Sequence, residues 1–146
     1  MNKKAEAFHL AKLKMTENEI SKEVIDAGLK VHKTLGMGLY ETVYEQCLAY
    51  ELVKRGLYVE RQKHLSIIYE DLEVSNAFKV DLLIENKVVI EIKAQESLID
   101  FHAAQLMNYL KLGDYRLGLL LNFNSKLFKT GIKRIVNRLE NEKGIA

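Results

Sequence analysis

Apolar residues recur at helical spacing through the first third of the chain and at strand spacing through its middle. Residues 1–15 are basic with scattered apolar positions (Phe8, Leu10, Leu13), and read as a loosely held extension or a docking helix. Thr16 opens a cleaner helix, because Glu19 stands three positions on and completes a capping-box pattern. Ile20, Val24, Ala27, Val31 and Leu35 follow on one face, and the glycines of LGMG end the helix. A second helix is expected over residues 39–55, with Tyr40, Val43, Tyr44, Cys47, Leu48 and Leu52 on its apolar face and Gly56 as its stop.

The period then drops from 3.6 to 2. Residues 58–62 and 65–69 read as strands, followed by a polar turn around residues 70–73. Residues 78–84 and 88–93 read as a hairpin around Glu85, Asn86 and Lys87. A helix over residues 100–112 is broken by Gly113, and YRLGLLLNF (115–123) is apolar on both faces, as a strand inside a sheet would be. GIKRIVNRLE fits either a helix or an edge strand. The order helix, helix, three or four strands, helix, strand describes an α/β domain whose central sheet is flanked by helices.

Composition narrows the class without naming a function. The chain has 146 residues, 48% hydrophobic and 29% charged, the balance of a single folded domain. No run is long and apolar enough for a membrane span, and MNKKAEAFHL lacks the apolar core of a secretory signal. The lone Cys47 excludes an internal disulfide and a Cys-rich zinc site, which points to a reducing, cytoplasmic compartment. A net charge of +2 neither announces nucleic-acid binding nor excludes a local basic site. His9, His32, His64 and His102 show no ligand-pair spacing, and no Gly-rich phosphate loop is present.

The chemistry concentrates in VDLLIENKVVIEIKA, residues 80–94. Glu91 and Lys93 are two apart and share one face of a strand, with Ile90 and Ile92 on the other. Charges inside such an apolar strand are costly unless something compensates them. A three-residue loop at 85–87 would set Ile84 against Val88 and Leu83 against Val89, which brings Asp81 opposite Glu91. A two-residue loop would turn Asp81 to the wrong face. Two close carboxylates favour either a shared proton or a cation between them, and hard oxygen donors suit Mg²⁺ or Mn²⁺. Lys93 could then orient water or offset charge on a phosphate.

Two helices add candidates. Glu41 falls on the buried side of the second helix and Glu45 at its margin, while Glu51 on the same face has Arg55 one turn on as a structural partner. His102, Gln105 and Tyr109 form a polar stripe on the later helix.

The blocks VHKTLGMGLYETVYE, VDLLIENKVVIEIKA, HAAQLMNYLKL, GLLLNF and GIKRIVN, in that order, resemble the GxxExxY family of the PD-(D/E)XK nuclease superfamily. Gly38, Glu41 and Tyr44 match the Gly-x-x-Glu-x-x-Tyr pattern itself. The resemblance implies a restriction-endonuclease-like αβββαβ core over residues 16–146, with residues 1–15 as an N-terminal extension. It makes Asp81 the motif aspartate and Glu91 and Lys93 the Glu-x-Lys. Glu41, or Glu45, becomes the acidic residue of the first core helix, and Gln105 and Tyr109 match a Gln-x-x-x-Tyr element near DNA. Lys79 and Val80 stand where family members often carry arginine and a small residue, which keeps the charge.

The expectation is a Mg²⁺- or Mn²⁺-dependent nuclease acting on DNA. Asp81 and Glu91, with Glu41 or Glu45, would hold metal; Lys93 would assist the water or the phosphate; Gln105, Tyr109 and His102 would contact substrate. The competing expectations are a non-cleaving nucleic-acid-binding module of the same fold and an interaction subunit of a larger assembly. Apolar residues in the tail add a homodimer to the expectations.

Overall fold

The computed structural model describes residues 2–13 and 15–140. Residues 141–146, counted with the domain on sequence grounds, and the side chains of Phe8 and Leu13 lie outside the described set. Helix α1 is Lys3–Leu13, in the stretch expected to be an extension, and the side chains at 2–7 and Leu10 are exposed. Helix α2 is Glu17–Leu35. Thr16 caps it as expected: Thr16 Oγ1 accepts from the Glu19 N–H at 3.1 Å, and its hydroxyl, rather than its backbone N–H, donates to the Glu19 carboxylate at 3.1 Å. Helix α3 is Glu41–Lys54, and α4 is Asp100–Gly113, ended by Asp114 in the left-handed region.

Five strands, β1 (Val59–Tyr69), β2 (Leu72–Ile84), β3 (Val88–Lys93), β4 (Leu117–Asn122) and β5 (Ile132–Val136), form one sheet in chain order. Neighbours are antiparallel except β3 and β4, which run parallel. A parallel pair needs a crossover, and α4 supplies it. One face of the sheet packs Leu82, Ile90 and Leu119 against Ile20, Val24 and Leu48 of α2 and α3. The other packs Leu83, Val89 and Leu120 against Leu106 and Leu110 of α4. Each fully buried aliphatic side chain contributes about 1.5–3 kcal/mol, so the covered central strands hold the fold. No helix among the described residues is long and apolar enough to cross a membrane.

Some sequence expectations are corrected. The strands expected at 58–62 and 65–69 are one strand, β1, whose interruption is Gln62 at φ 51. Of the two expectations for the tail, helix or edge strand, the edge strand is met by β5, Ile132–Val136. Ile135 and Leu139, part of the apolar tail that prompted the homodimer expectation, are buried in this chain's own fold. The buried face of α3 is rotated: Tyr40 is 84% exposed and Val43 is exposed, while Tyr44, Glu45, Leu48 and Leu52 are buried. Glu45 can lie inward because β1 supplies its partners, a long-range compensation that helical spacing does not reveal.

Candidate active site

The β2–β3 hairpin turns through Glu85 and Asn86, both at positive φ, with the Lys87 N–H donating to the Ile84 carbonyl at 2.9 Å. The resulting register, Ile84 with Val88 through Leu82 with Ile90, is the one expected from the apolar pattern. Backbone pairing then stops, and β3 continues alongside β4. Side chains bridge the parting strands. The Ile92 N–H donates to Asp81 Oδ2 at 2.8 Å, and the Asp81 N–H donates to Glu91 Oε1 at 3.2 Å. Asp81 and Glu91 therefore meet where the hairpin splays, each held by the other's strand.

On the far side of β2, Arg61 pairs with Leu82 and Lys63 with Val80, leaving Gln62 facing Asp81 outside the ladder. Its amide donates to Asp81 Oδ1 at 3.3 Å and, by a short bond, to Glu45 Oε1. Arg61 completes the Glu45 shell at 3.0 Å. Gln62 was not found by sequence reasoning. Gln62 falls inside the first expected strand, 58–62, and its neighbours in the chain give no sign of the turn in its backbone.

Glu91 is 7% exposed, and its carboxyl is pushed up to about 8, first by burial and then by the charge of Asp81. The Lys93 ammonium acts on it in the opposite direction, so all three groups share one electrostatic neighbourhood. A divalent cation fits the donor set. Two carboxylates that cannot comfortably ionise together are the pair a 2+ charge would relieve. Among the described residues no group of three or more His, Cys, Asp or Glu is arranged to hold a metal ion.

The structure does not gather Glu41 and Glu45 into this carboxylate pair. Glu41, at the first turn of α3 where the helix dipole favours an anion, accepts from the Ala94 N–H at 3.3 Å, one residue past Lys93. Glu45 reaches Asp81 only through Gln62. Tyr44 sets the start of α3: its hydroxyl donates to the Gly36 carbonyl at 2.6 Å and accepts from the Leu39 N–H at 3.1 Å. Its ring stacks on Phe123 at 4.7 Å. Buried Asn122, beside Lys93 on β4, accepts from the N–H groups of Gln95 and Asn124 and donates to the Gln95 carbonyl. The turn after Lys93 is thereby fixed.

On α4, Gln105 and Tyr109 line one cleft. The Tyr109 phenol is pushed up by burial and then by the charges of Glu91 and Asp81. His102 does not join them. It is 8% exposed, and its Nδ1 accepts from the Ile99 N–H at 3.3 Å at the start of the helix. Glu51 is also bound elsewhere than expected: Lys30, at 3.0 Å, and Lys54 hold it, and Lys30 keeps its carboxyl below the usual range. Arg55 pairs with Glu23 and Asp26.

Searches of curated proteins and of solved structures return no match to the chain. A family model described as the PD-(D/E)XK nuclease superfamily matches residues 18–135, from α2 into β5, and so spans the sheet, α2 to α4, and every group just described. With an α/β sheet of the restriction-endonuclease-like kind and the aspartate and Glu-x-Lys meeting at a splayed hairpin, this chain belongs to the PD-(D/E)XK nuclease superfamily.

Proposed function

We propose that the chain is a divalent-metal-dependent nuclease of the GxxExxY group that hydrolyses phosphodiester bonds in DNA. The observation that carries this reading is the buried Glu91 carboxyl beside Asp81, with Lys93 on the same strand face. Asp81 and Glu91 would hold Mg²⁺ or Mn²⁺. Bound there, the cation would supply Lewis-acid polarisation of the phosphate and an acidified water.

The chain's own residues do the rest. Lys93 directs an ammonium at the phosphate, where it offsets the charge that builds as water oxygen bonds to phosphorus and the ester oxygen departs. Glu41, anchored one residue beyond Lys93, positions the attacking water. Gln62 and Glu45 hold the Asp81 carboxylate in place from behind. Gln105 and Tyr109 contact the nucleic acid beside the carboxylates. His102 supports that contact from the start of α4 by setting the helix end. In this reading residues 16–146 are the nuclease domain and residues 1–15 an appendage.

The test is cleavage of single- and double-stranded DNA with Mg²⁺ or Mn²⁺ by wild type, Lys93→Ala and Asp81→Asn. Loss of one such transition-state contact costs about 10²–10³ in rate. Equal residual activity in all three proteins would mean a contaminant, and the hydrolytic reading would be withdrawn.

A further inference from the structure

Beside the carboxylates, a cleft of about 330 Å³ opens between α4 and the β1–β2 hairpin. Phe78 and Tyr109 line it as a parallel pair, centroids 4.5 Å apart and planes 15° apart. Phe101 lines it too, although 62% of it is exposed. Such a ring on the surface is a stacking face without a cover. The polar groups in the lining are the Gln105 and Asn108 amides and the Tyr109 phenol; among the described residues no charged side chain lines the cleft.

That chemistry selects its occupant. A phosphate or carboxylate would find no cation in the cleft. A purely aliphatic segment would bury amides without hydrogen-bond partners. A flat, uncharged heteroaromatic ring satisfies both constraints, with faces for the aromatic side chains and donor and acceptor edges for the amides. The volume lies in the range of small-ligand sites. The cleft also borders the carboxylate site through Tyr109. Tyr109 belongs to both, since its ring lines the cleft while its phenol feels Glu91 and Asp81. Phe78 precedes Asp81 by three residues on β2, roughly 10 Å along a strand.

We propose that this cleft is a stacking subsite for an unpaired nucleobase flanking the phosphodiester at Asp81 and Glu91, which makes single strands and frayed ends the substrates rather than closed duplex. It rests on the nuclease reading and narrows it. A base inside a duplex must be unpaired and unstacked before it reaches a side cleft.

The test measures binding and cleavage separately on the full chain. In EDTA, anisotropy compares a labelled single-stranded oligodeoxynucleotide with the same sequence closed as a hairpin duplex. The single strand is expected to bind about tenfold tighter, and Phe101→Ala and Asn108→Ala to lose about tenfold on it while barely changing duplex binding. Leu127→Ala, exposed beside α2, serves as the control and should change nothing. A 2-aminopurine base in the strand should change its fluorescence with wild type and not with Phe101→Ala. Both test side chains are exposed, and matched thermal midpoints would confirm folding.

Equal binding of the two forms with no effect of Phe101→Ala would overturn the subsite. Self-association through Phe101 without nucleic-acid binding would overturn it as well, in favour of a protein interface. With Mn²⁺ added, cleavage that ignores Phe101 sinks the subsite and leaves the nuclease standing. Strand binding that depends on Phe101, with no cleavage of any DNA, sinks the nuclease and leaves a base-binding cleft.

Discussion

Glu91 sits where an ionised side chain is hardest to keep, and the pH response of the metal-free protein should show it. Its carboxyl holds a proton up to about pH 8 in the fold, against an ordinary value of 4.5, because burial and Asp81 both oppose the charge. The folded state therefore gains from that proton fully below about pH 4.5 and loses the gain as pH rises through about 8. At about 1.4 kcal/mol per unit, the loss is on the order of a few kcal/mol. In EDTA, the thermal midpoint of Glu91→Gln should rise relative to wild type between pH 5 and pH 9; parallel midpoint curves would contradict the assignment.

Gln62 gives a second prediction at this scale. Glycine keeps its left-handed backbone without strain while removing the amide that ties Asp81 to Glu45. Gln62→Gly should fold normally yet bind Mn²⁺ about 10- to 100-fold more weakly, as loss of an outer partner of a ligand does. An unchanged titration would remove Gln62 from the site. Asp81, Glu91 and Lys93 were legible because charges interrupt an apolar strand at one parity. Gln62 was not, since neither its φ nor its partners on α3 and β2 leave a local pattern.

Among the elements, α3 shows what the glycine loop and Tyr44 do together. The Tyr44 hydroxyl closes the loop from Gly36 to Leu39 and so fixes where Glu41 begins the helix. Tyr44→Phe removes two hydrogen bonds, each contributing about 1 kcal/mol. A drop of about 1–3 kcal/mol in urea unfolding is expected, together with slower cleavage at unchanged strand affinity. Full activity in a destabilised variant would separate the loop from catalysis. Helical periodicity located α3 and placed Tyr44, Leu48 and Leu52 inward, but it missed Tyr40, which precedes the first turn and is exposed, and Glu45, which is buried because another element compensates it. The tail was ambiguous for a related reason: IKRIV becomes a strand through pairing with β4, which no window of its own residues contains.

For the molecule as a whole, the sheet is covered by α2 and α3 on one face and by α4 on the other, and among the described residues no side chain of α1 joins either apolar cluster. The family match likewise begins at residue 18. Removal of residues 1–13 should leave the thermal midpoint within about 2 °C and DNA cleavage within twofold, since exposed surface changes rarely exceed 0.5 kcal/mol. A large loss in either would make α1 part of the domain. The overall architecture was readable in advance because residues 80–84, 88–92 and 117–121, apolar except at Asp81 and Glu91, are long enough to specify a buried centre.

The central claim is that Asp81 and Glu91 close on one divalent cation. Calorimetric titration of the full chain with Mn²⁺ tests it directly, with Asp81→Asn and Glu91→Gln alongside. One ion per chain in wild type, lost in both variants while their far-ultraviolet spectra remain native, is the predicted result. Binding that persists in both variants, or none in wild type, would contradict the account.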